Sequence, residues 1–263
     1  MSKIGIFDSG VGGLTIARAI SDLLPNEQII YFGDSAHSPY GNKPFELVRE
    51  YSKEITKFLI KEKKCDCIII ACHTASAAAY EYLRDSFKGT PIISVIDPVV
   101  EYLVTDDSIK KIGIIATATT VNSGSYQEKL TRRKSSLLYS ILPTPLLAPM
   151  IEEGFYKGAI SKEIIHNYLA KPQLAEIDTL VLACTHYPLI KQEIAEYYTG
   201  RIKIIDATNI VADKVKKILE KEGLISTKRE SPDEYYISEY KESFEKNAEI
   251  FFGKPVHLEL KEI

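Results

Sequence analysis

Short apolar runs alternate with amphipathic stretches along the whole chain. The apolar runs predict strands at Lys3–Asp8, Gln28–Phe32, Cys67–Ala71, Ile92–Ile96, Lys111–Ala116, Thr179–Ala183, Lys203–Asp206 and Val256–Leu260. Helical spacing appears in Leu14, Ala17, Ile20 and Leu24, again in Val48, Ile55, Phe58 and Leu59, and in Val211, Val215, Ile218 and Leu219. Strands that are apolar throughout and alternate with helices predict parallel sheets covered on both faces, an α/β fold.

The pattern also repeats. Lys3-Ile4-Gly5-Ile6 returns as Lys111-Ile112-Gly113-Ile114. Asp66 through Ala71-Cys72 returns as Asp178 through Ala183-Cys184, and Val95-Ile96-Asp97 returns as Ile204-Ile205-Asp206. The three matches keep their order and nearly one spacing. They predict two similar α/β units with mostly parallel sheets, related by an internal pseudo-repeat, with the active site in the cleft between them. Pro98 restricts the residue before it, so Asp97-Pro98 is expected to be a hinge. The first unit would comprise residues 1–97 plus 207–263, the second 98–206. After Asp206 come a helix near Val211–Glu222, a polar loop Ser226–Asp233, a helix near Tyr240–Phe252 and a last strand. That tail is too small to stand alone and is expected to pack on the first unit.

Composition narrows the class of protein without naming it. The 263 residues carry 45% hydrophobic and 26% charged side chains, ordinary for a globular chain, and a net charge of −3. No basic footprint for nucleic acid is visible, and no apolar run is long enough for a membrane helix. The N-terminus reads as a strand rather than a signal peptide, so a cytoplasmic location is expected. Four cysteines form no disulfide framework. Cys65 and Cys67 lack a second pair at the usual zinc spacing, so no metal is expected there.

Two of those cysteines carry the chemistry. A strand ending in Ala-Cys sets a thiol at its carboxyl end, where open α/β sheets bind ligands. A lone cysteine there reads equally well as buried and inert. Cys72 and Cys184, however, occupy repeat-equivalent positions, each followed by His and Thr in one order or the other. Two equivalent thiols can act on opposite faces of one carbon. Each needs an acid–base partner, because a free thiol is only slightly ionised at neutral pH. Asp8 at the end of the first strand could serve Cys72, or could simply cap a helix. His186 could serve Cys184, and Glu152 could orient His186. Gly10-Val11-Gly12-Gly13 opens a helix and could offer N–H groups to an anion, with a carboxylate the expected guest. It fails the dinucleotide fingerprint, since the third Gly would fall at Thr15. The long loop Gly33–Pro44 with its Pro39-Tyr40-Gly41 turn is expected to form a pocket wall. Ser9, Thr74, Ser76, Thr117, Thr119 and Thr185 place hydroxyls near strand ends, as caps or substrate ligands. A metal hydrolase using Cys72, Cys184 and His186, or a non-catalytic regulator on the same fold, would also fit these residues.

With these residues in view, the chain resembles the glutamate racemases, cofactor-independent enzymes of the aspartate/glutamate racemase family. The resemblance lies in Phe7-Asp8-Ser9-Gly10-Val11-Gly12-Gly13-Leu14, Tyr31-Phe32-Gly33-Asp34, Pro39-Tyr40-Gly41, Ala71-Cys72-His73-Thr74-Ala75-Ser76-Ala77, Ile151-Glu152-Glu153-Gly154 and Ala183-Cys184-Thr185-His186-Tyr187-Pro188-Leu189. It implies a racemase interconverting L- and D-glutamate by two-thiol proton transfer with no cofactor, supplying D-glutamate for bacterial peptidoglycan. An aspartate or other amino-acid racemase of the same family is the alternative. The implied catalytic set is Cys72, Cys184, Asp8, His186 and Glu152, with Cys72 the base toward D-glutamate and Cys184 toward L-glutamate. The implied substrate contacts are Asp8, Ser9, Tyr40, Gly41, His73, Thr74, Thr185 and His186. The expected partner is glutamate itself; a homodimer is allowed but not required. No segment precedes the first strand, so activation by a nucleotide-linked wall precursor is not expected. One departure stands out: His73 occupies a position that is usually Asn. It either lines the pocket passively, or, protonated, lowers the pKa of Cys72.

Overall fold

The computed structural model describes residues 2–240 and 242–263. The first unit runs β1 (Lys3–Asp8), α1 (Leu14–Leu23), β2 (Gln28–Gly33), α2 (Phe45–Lys61), β3 (Cys67–Ile70), α3 (His73–Ser86), β4 (Ile92–Ser94) and α4 (Ile96–Thr105). The second runs β5 (Lys111–Ala116), α5 (Ala118–Asn122), α6 (Ser125–Arg133), β6 (Leu138–Pro143), α7 (Leu147–Glu152), α8 (Ala159–Leu169), β7 (Thr179–Ala183), α9 (Lys191–Tyr198) and β8 (Lys203–Asp206). The tail supplies α10 (Thr208–Lys221), β9 (Glu234–Ile237), α11 (Glu242–Phe252) and β10 (Glu259–Leu260). Lys241, inside the expected span of the last helix, lies outside the described residues.

All the strand pairs are parallel. The first sheet has the order β10-β9-β2-β1-β3-β4 and the second β6-β5-β7-β8. Numbered within each unit, the four shared strands have the same order, 2-1-3-4. The repeat therefore extends from sequence to topology, and to single contacts. Asp66 Oδ2 accepts the Lys3 N–H at 2.9 Å, and Asp178 Oδ2 accepts the Lys111 N–H at 2.7 Å. A Cβ at Gly5 would sit 2.7 Å from Ile68 Cδ1 and 3.1 Å from Cys65 Sγ; one at Gly113 would sit 2.7 Å from Leu174 Cδ2 and 2.8 Å from Ile177 Cδ1. Each central strand thus uses glycine to admit a neighbouring side chain. Cys65 is packing material, and burial pushes its thiol up to about 12.

Several expected boundaries shift. The strand predicted over Ile92–Ile96 stops at Ser94, because Ser94 Oγ accepts the N–H groups of Ile96 and Asp97 and starts α4 there. Asp97-Pro98 is accordingly a first helical turn and not an extended joint, and Asp97 is tied to Lys129 of α6 at 2.7 Å. The strand expected over Val256–Leu260 contracts to Glu259–Leu260. Two strands were not foreseen. In β6 Leu138 is exposed, Leu142 alone is fully buried and Pro143 ends the edge strand, so the run lacks a clear apolar signature. The four-residue β9 pairs with β2, and so fastens the tail to the first sheet. α10 lies against α1 and α4, and α11 against α1.

Candidate active site

In both units the carboxyl ends of the central strands open toward one narrow cleft, with about 40 Å³ of free volume. Cys72 and Cys184 both line it, each nearly buried. Ser9, Tyr40, Gly41, His73, Thr74, Thr185, His186 and Glu152 line it too. Sulfurs from repeat-equivalent strand ends therefore face one shared space.

Cys72 is the N-cap of α3, where Sγ accepts the Ala75 N–H at 3.5 Å; Ser9 Oγ lies 3.8 Å from the same sulfur. Burial, and then the Asp8 charge, pushes the Cys72 thiol up to about 12. Asp8 itself does not line the cleft but lies fully buried behind it. Its Oδ2 accepts the N–H groups of Gly10 at 3.2 Å and Gly13 at 3.1 Å. The expectation that the glycine turn would greet an external carboxylate is corrected here. Two of its amides are already committed to the chain's own carboxylate. Burial still raises the Asp8 carboxyl above its usual value, against the opposing pull of His186 and those two amides.

On the opposite side Cys184 Sγ lies 3.7 Å from His186 Nδ1, and His186 Nε2 lies 2.9 Å from Glu152 Oε1. Burial alone would discharge this ring. The Glu152 carboxylate and the Cys184 sulfur outweigh it and hold His186 well above its ordinary value. Thr185 Oγ1 reaches Asp8 Oδ1 at 3.4 Å and so joins the two halves of the site. Gly12 is the other joint: a Cβ there would fall 2.7 Å from His186 Cε1 and 2.8 Å from Thr185 Oγ1.

His73 is buried, and neither ring nitrogen has a hydrogen-bond partner among the described residues. Its ring stacks on Tyr126 with centroids 6.4 Å apart. Burial pushes it down to about 3, so it is neutral across the ordinary pH range, which favours the passive reading of His73 over the protonated one. The loop after β2 is ordered by Asp34, which accepts from Tyr40 Oη, from Ser238 Oγ at 2.8 Å and pairs with His37 Nδ1 at 2.9 Å. Tyr40 is thereby held in the cleft wall. The hydroxyls divide by task. Thr74 meets Thr117 at 3.0 Å and Thr120 at 3.2 Å across the cleft, and Thr119 donates to the Gly41 carbonyl at 2.6 Å. Ser76 donates into the Ile70 carbonyl, away from the cleft.

Asn42 lines the cleft from the loop expected as its wall; Pro145, Ala148 and Pro149 also line it and were not singled out from sequence. The repeat held the signal for the last three. They follow β6, as the Tyr40 loop follows the equivalent β2. No group of three or more His, Cys, Asp or Glu able to hold a metal ion occurs among the described residues.

Known proteins share this sequence pattern and fold over nearly the whole chain. The profile of the Asp/Glu/Hydantoin racemase family matches residues 14–215. A glutamate racemase of Aquifex aeolicus is 39% identical over 97% of this chain and 95% of its own length. One from Neisseria meningitidis serogroup A is 39% identical over 95% of this chain and 93% of its own. Among solved structures, the Francisella tularensis glutamate racemase in complex with D-glutamate superposes with a TM-score of 0.92 at 35% identity, covering 99% of this chain and 97% of that one. A glutamate racemase isoform from Bacillus anthracis gives 0.94 at 31% identity, over 100% and 98%. With the family profile spanning most of the sequence and the fold matched end to end, this chain belongs to the Asp/Glu/hydantoin racemase family.

Proposed function

We propose that the protein interconverts L- and D-glutamate by proton transfer between two thiols, without a cofactor. The observation that carries this reading is the pair Cys72 and Cys184 facing one cleft, each beside its own acid–base partner. For the L enantiomer, Cys184 as thiolate takes the α-proton, and Cys72 as thiol delivers its proton to the opposite face. The C–H bond on one face breaks first, leaving carbanion-like charge at Cα; a new C–H bond then forms on the other face, and the two sulfurs exchange protonation states. The site suits that direction. Cys72 is held as a thiol, and His186, held protonated by Glu152, stands against the other sulfur. In the return direction Asp8, whose carboxyl burial has raised, assists removal of the Cys72 proton.

The carbanion-like charge that develops at the substrate has no ring in which to delocalise. Fixed donors and exclusion of water must stabilise it. Ser9, His73, Thr74, Thr185 and the wall formed by Tyr40-Gly41 supply the polar lining for the substrate. The Thr74–Thr117, Gly41–Thr119 and Asp8–Thr185 contacts must part to admit it and re-form around it. We assign that motion to the two sheets with the helices packed on them, the tail moving with the first sheet. The D-glutamate formed would serve peptidoglycan synthesis. We propose a cytosolic location, where thiols stay reduced; all four cysteines are free.

Racemisation in deuterium oxide is the test. Product of the opposite hand should carry an α-deuteron, and glutamate should be turned over faster than aspartate in a substrate panel. Retention of the substrate's own α-hydrogen, or dependence on pyridoxal phosphate, refutes the scheme.

A further inference from the structure

Helix α11 comes from the tail, outside every stretch that carries the family resemblance, yet it reaches the Cys184 side of the cleft. Phe244, Asn247, Ala248 and Phe251 recur at i, i+3, i+4 and i+7, so they share one helix face, and all four are buried. One member of that otherwise apolar stripe is polar. Asn247 Nδ2 donates to the main-chain carbonyl of Glu152 at 2.9 Å. One turn further on, the Phe251 ring meets His186 edge-on, with centroids 5.2 Å apart and planes at 82°. An apolar residue of similar size would fill the space at 247, but with no donor it could not hold that carbonyl.

The His186 imidazole is thus fixed on every side. Cys184 Sγ lies at Nδ1, Glu152 Oε1 at Nε2, Phe251 at its edge and the Gly12 backbone against Cε1. Of these only Phe251 comes from the tail, and Asn247 holds the segment that carries Glu152. From this we infer that Asn247 and Phe251 are positioning residues for the acid–base set of Cys184, and that the tail helix tunes proton transfer on the L-glutamate side alone. The inference rests on the proposed two-thiol reading for its direction, and on geometry for its contacts. α11 is anchored independently of the site: Phe252 packs on Tyr235 of β9 at 5.3 Å, and Gly253 leaves room for Arg18 of α1. It can therefore act as a rigid support.

The test uses Asn247→Ala, Phe251→Leu and, as control on the exposed face of the same helix, Glu249→Ala. The two enantiomers of glutamate have equal free energy in water. Their kcat/KM values must therefore fall together in any variant, so the ratio of rates reports nothing. Isotope effects do separate the sides. If transfer at Cys184 becomes rate-limiting, the effect with α-deuterated L-glutamate rises, and that with α-deuterated D-glutamate falls toward unity. We expect this divergence in Asn247→Ala and Phe251→Leu, with kcat/KM lowered about tenfold to a hundredfold, as for other supports of catalytic groups. Glu249→Ala should behave as wild type. A second readout needs no turnover: the ring-nitrogen NMR titration of His186 should shift downward in Asn247→Ala, while the other four histidines stay put. Isotope effects that change equally for both enantiomers, or a His186 titration unmoved in both variants, overturn the inference. Wild-type protein that fails to racemise glutamate overturns instead the proposed function, and the titration still decides whether α11 positions His186.

Discussion

Gly12→Ala is the sharpest perturbation the site offers. The φ of Gly12 is not in the left-handed region, so alanine adds one methyl group and no backbone strain. That methyl would lie 2.7 Å from His186 Cε1, 2.8 Å from His186 Nδ1 and 2.8 Å from Thr185 Oγ1. Carbon contacts are comfortable at about 3.5–4.0 Å, so roughly 0.8 Å must be found. None of the three atoms is the free end of a flexible chain. The ring is held at Nε2 by Glu152 and at its edge by Phe251, so retreat moves Nδ1 off the Cys184 sulfur. Overpacking of this kind costs about 1–3 kcal/mol, offset by about 0.4–1 kcal/mol from the stiffer unfolded chain. Activity should suffer more, since a misplacement of about 1 Å in a catalytic group costs on the order of a hundredfold. Urea unfolding and racemisation assays on the same sample measure both. Gly124→Ala is the control. Gly124 has φ +69° and nothing within 4 Å of its added Cβ, so the variant should lose about 1–2 kcal/mol while keeping its turnover. A Gly12→Ala protein racemising within twofold of wild type would refute the account of how His186 is held.

Three further outcomes follow from the charges. In Glu152→Gln, His186 loses the carboxylate that keeps it protonated against burial, so its titration moves down and turnover falls. A raised histidine pKa stabilises the fold below the unfolded value and loses that benefit as pH rises through the folded one. Urea midpoints of wild type and this variant should therefore converge toward high pH; parallel curves would contradict the pairing. Asp8→Asn should resist urea better than wild type at neutral pH yet racemise poorly. A carboxyl raised by burial costs stability as pH climbs above its unfolded value, and the amide still accepts from Gly10 and Gly13. An unfolding midpoint lower than wild type at pH 7 would reverse that sign. His73→Asn should leave the acid limb of the pH–rate profile in place between about pH 5 and 8, because the ring is already neutral there. A displaced limb would show that His73 titrates during turnover.

Much of the architecture was legible along the chain because its cause is local. Continuous apolar strands such as Ile68-Ile69-Ile70 and Leu180-Val181-Leu182 are buried on both faces, and a run of that kind reads as a parallel strand whatever lies around it. The paired Ala-Cys strand ends were visible for the same reason, since parallel strands gather their carboxyl ends on one rim. Tertiary structure decided everything that depends on partners remote in sequence. Whether the glycine turn receives a ligand or Asp8 was settled by which carboxylate arrives first in space. Whether His73 carries charge was settled by how thoroughly α3 and Tyr126 strip it of water. The edge strand β6 and the short strand β9, with weak patterns of their own, exist because β5 and β2 offer them unpaired backbone. Phe251 lies some sixty residues beyond the histidine it meets, and Asn247 farther still from the Glu152 carbonyl it holds. Periodicity reports which face of a helix is apolar, but only packing decides what that face touches.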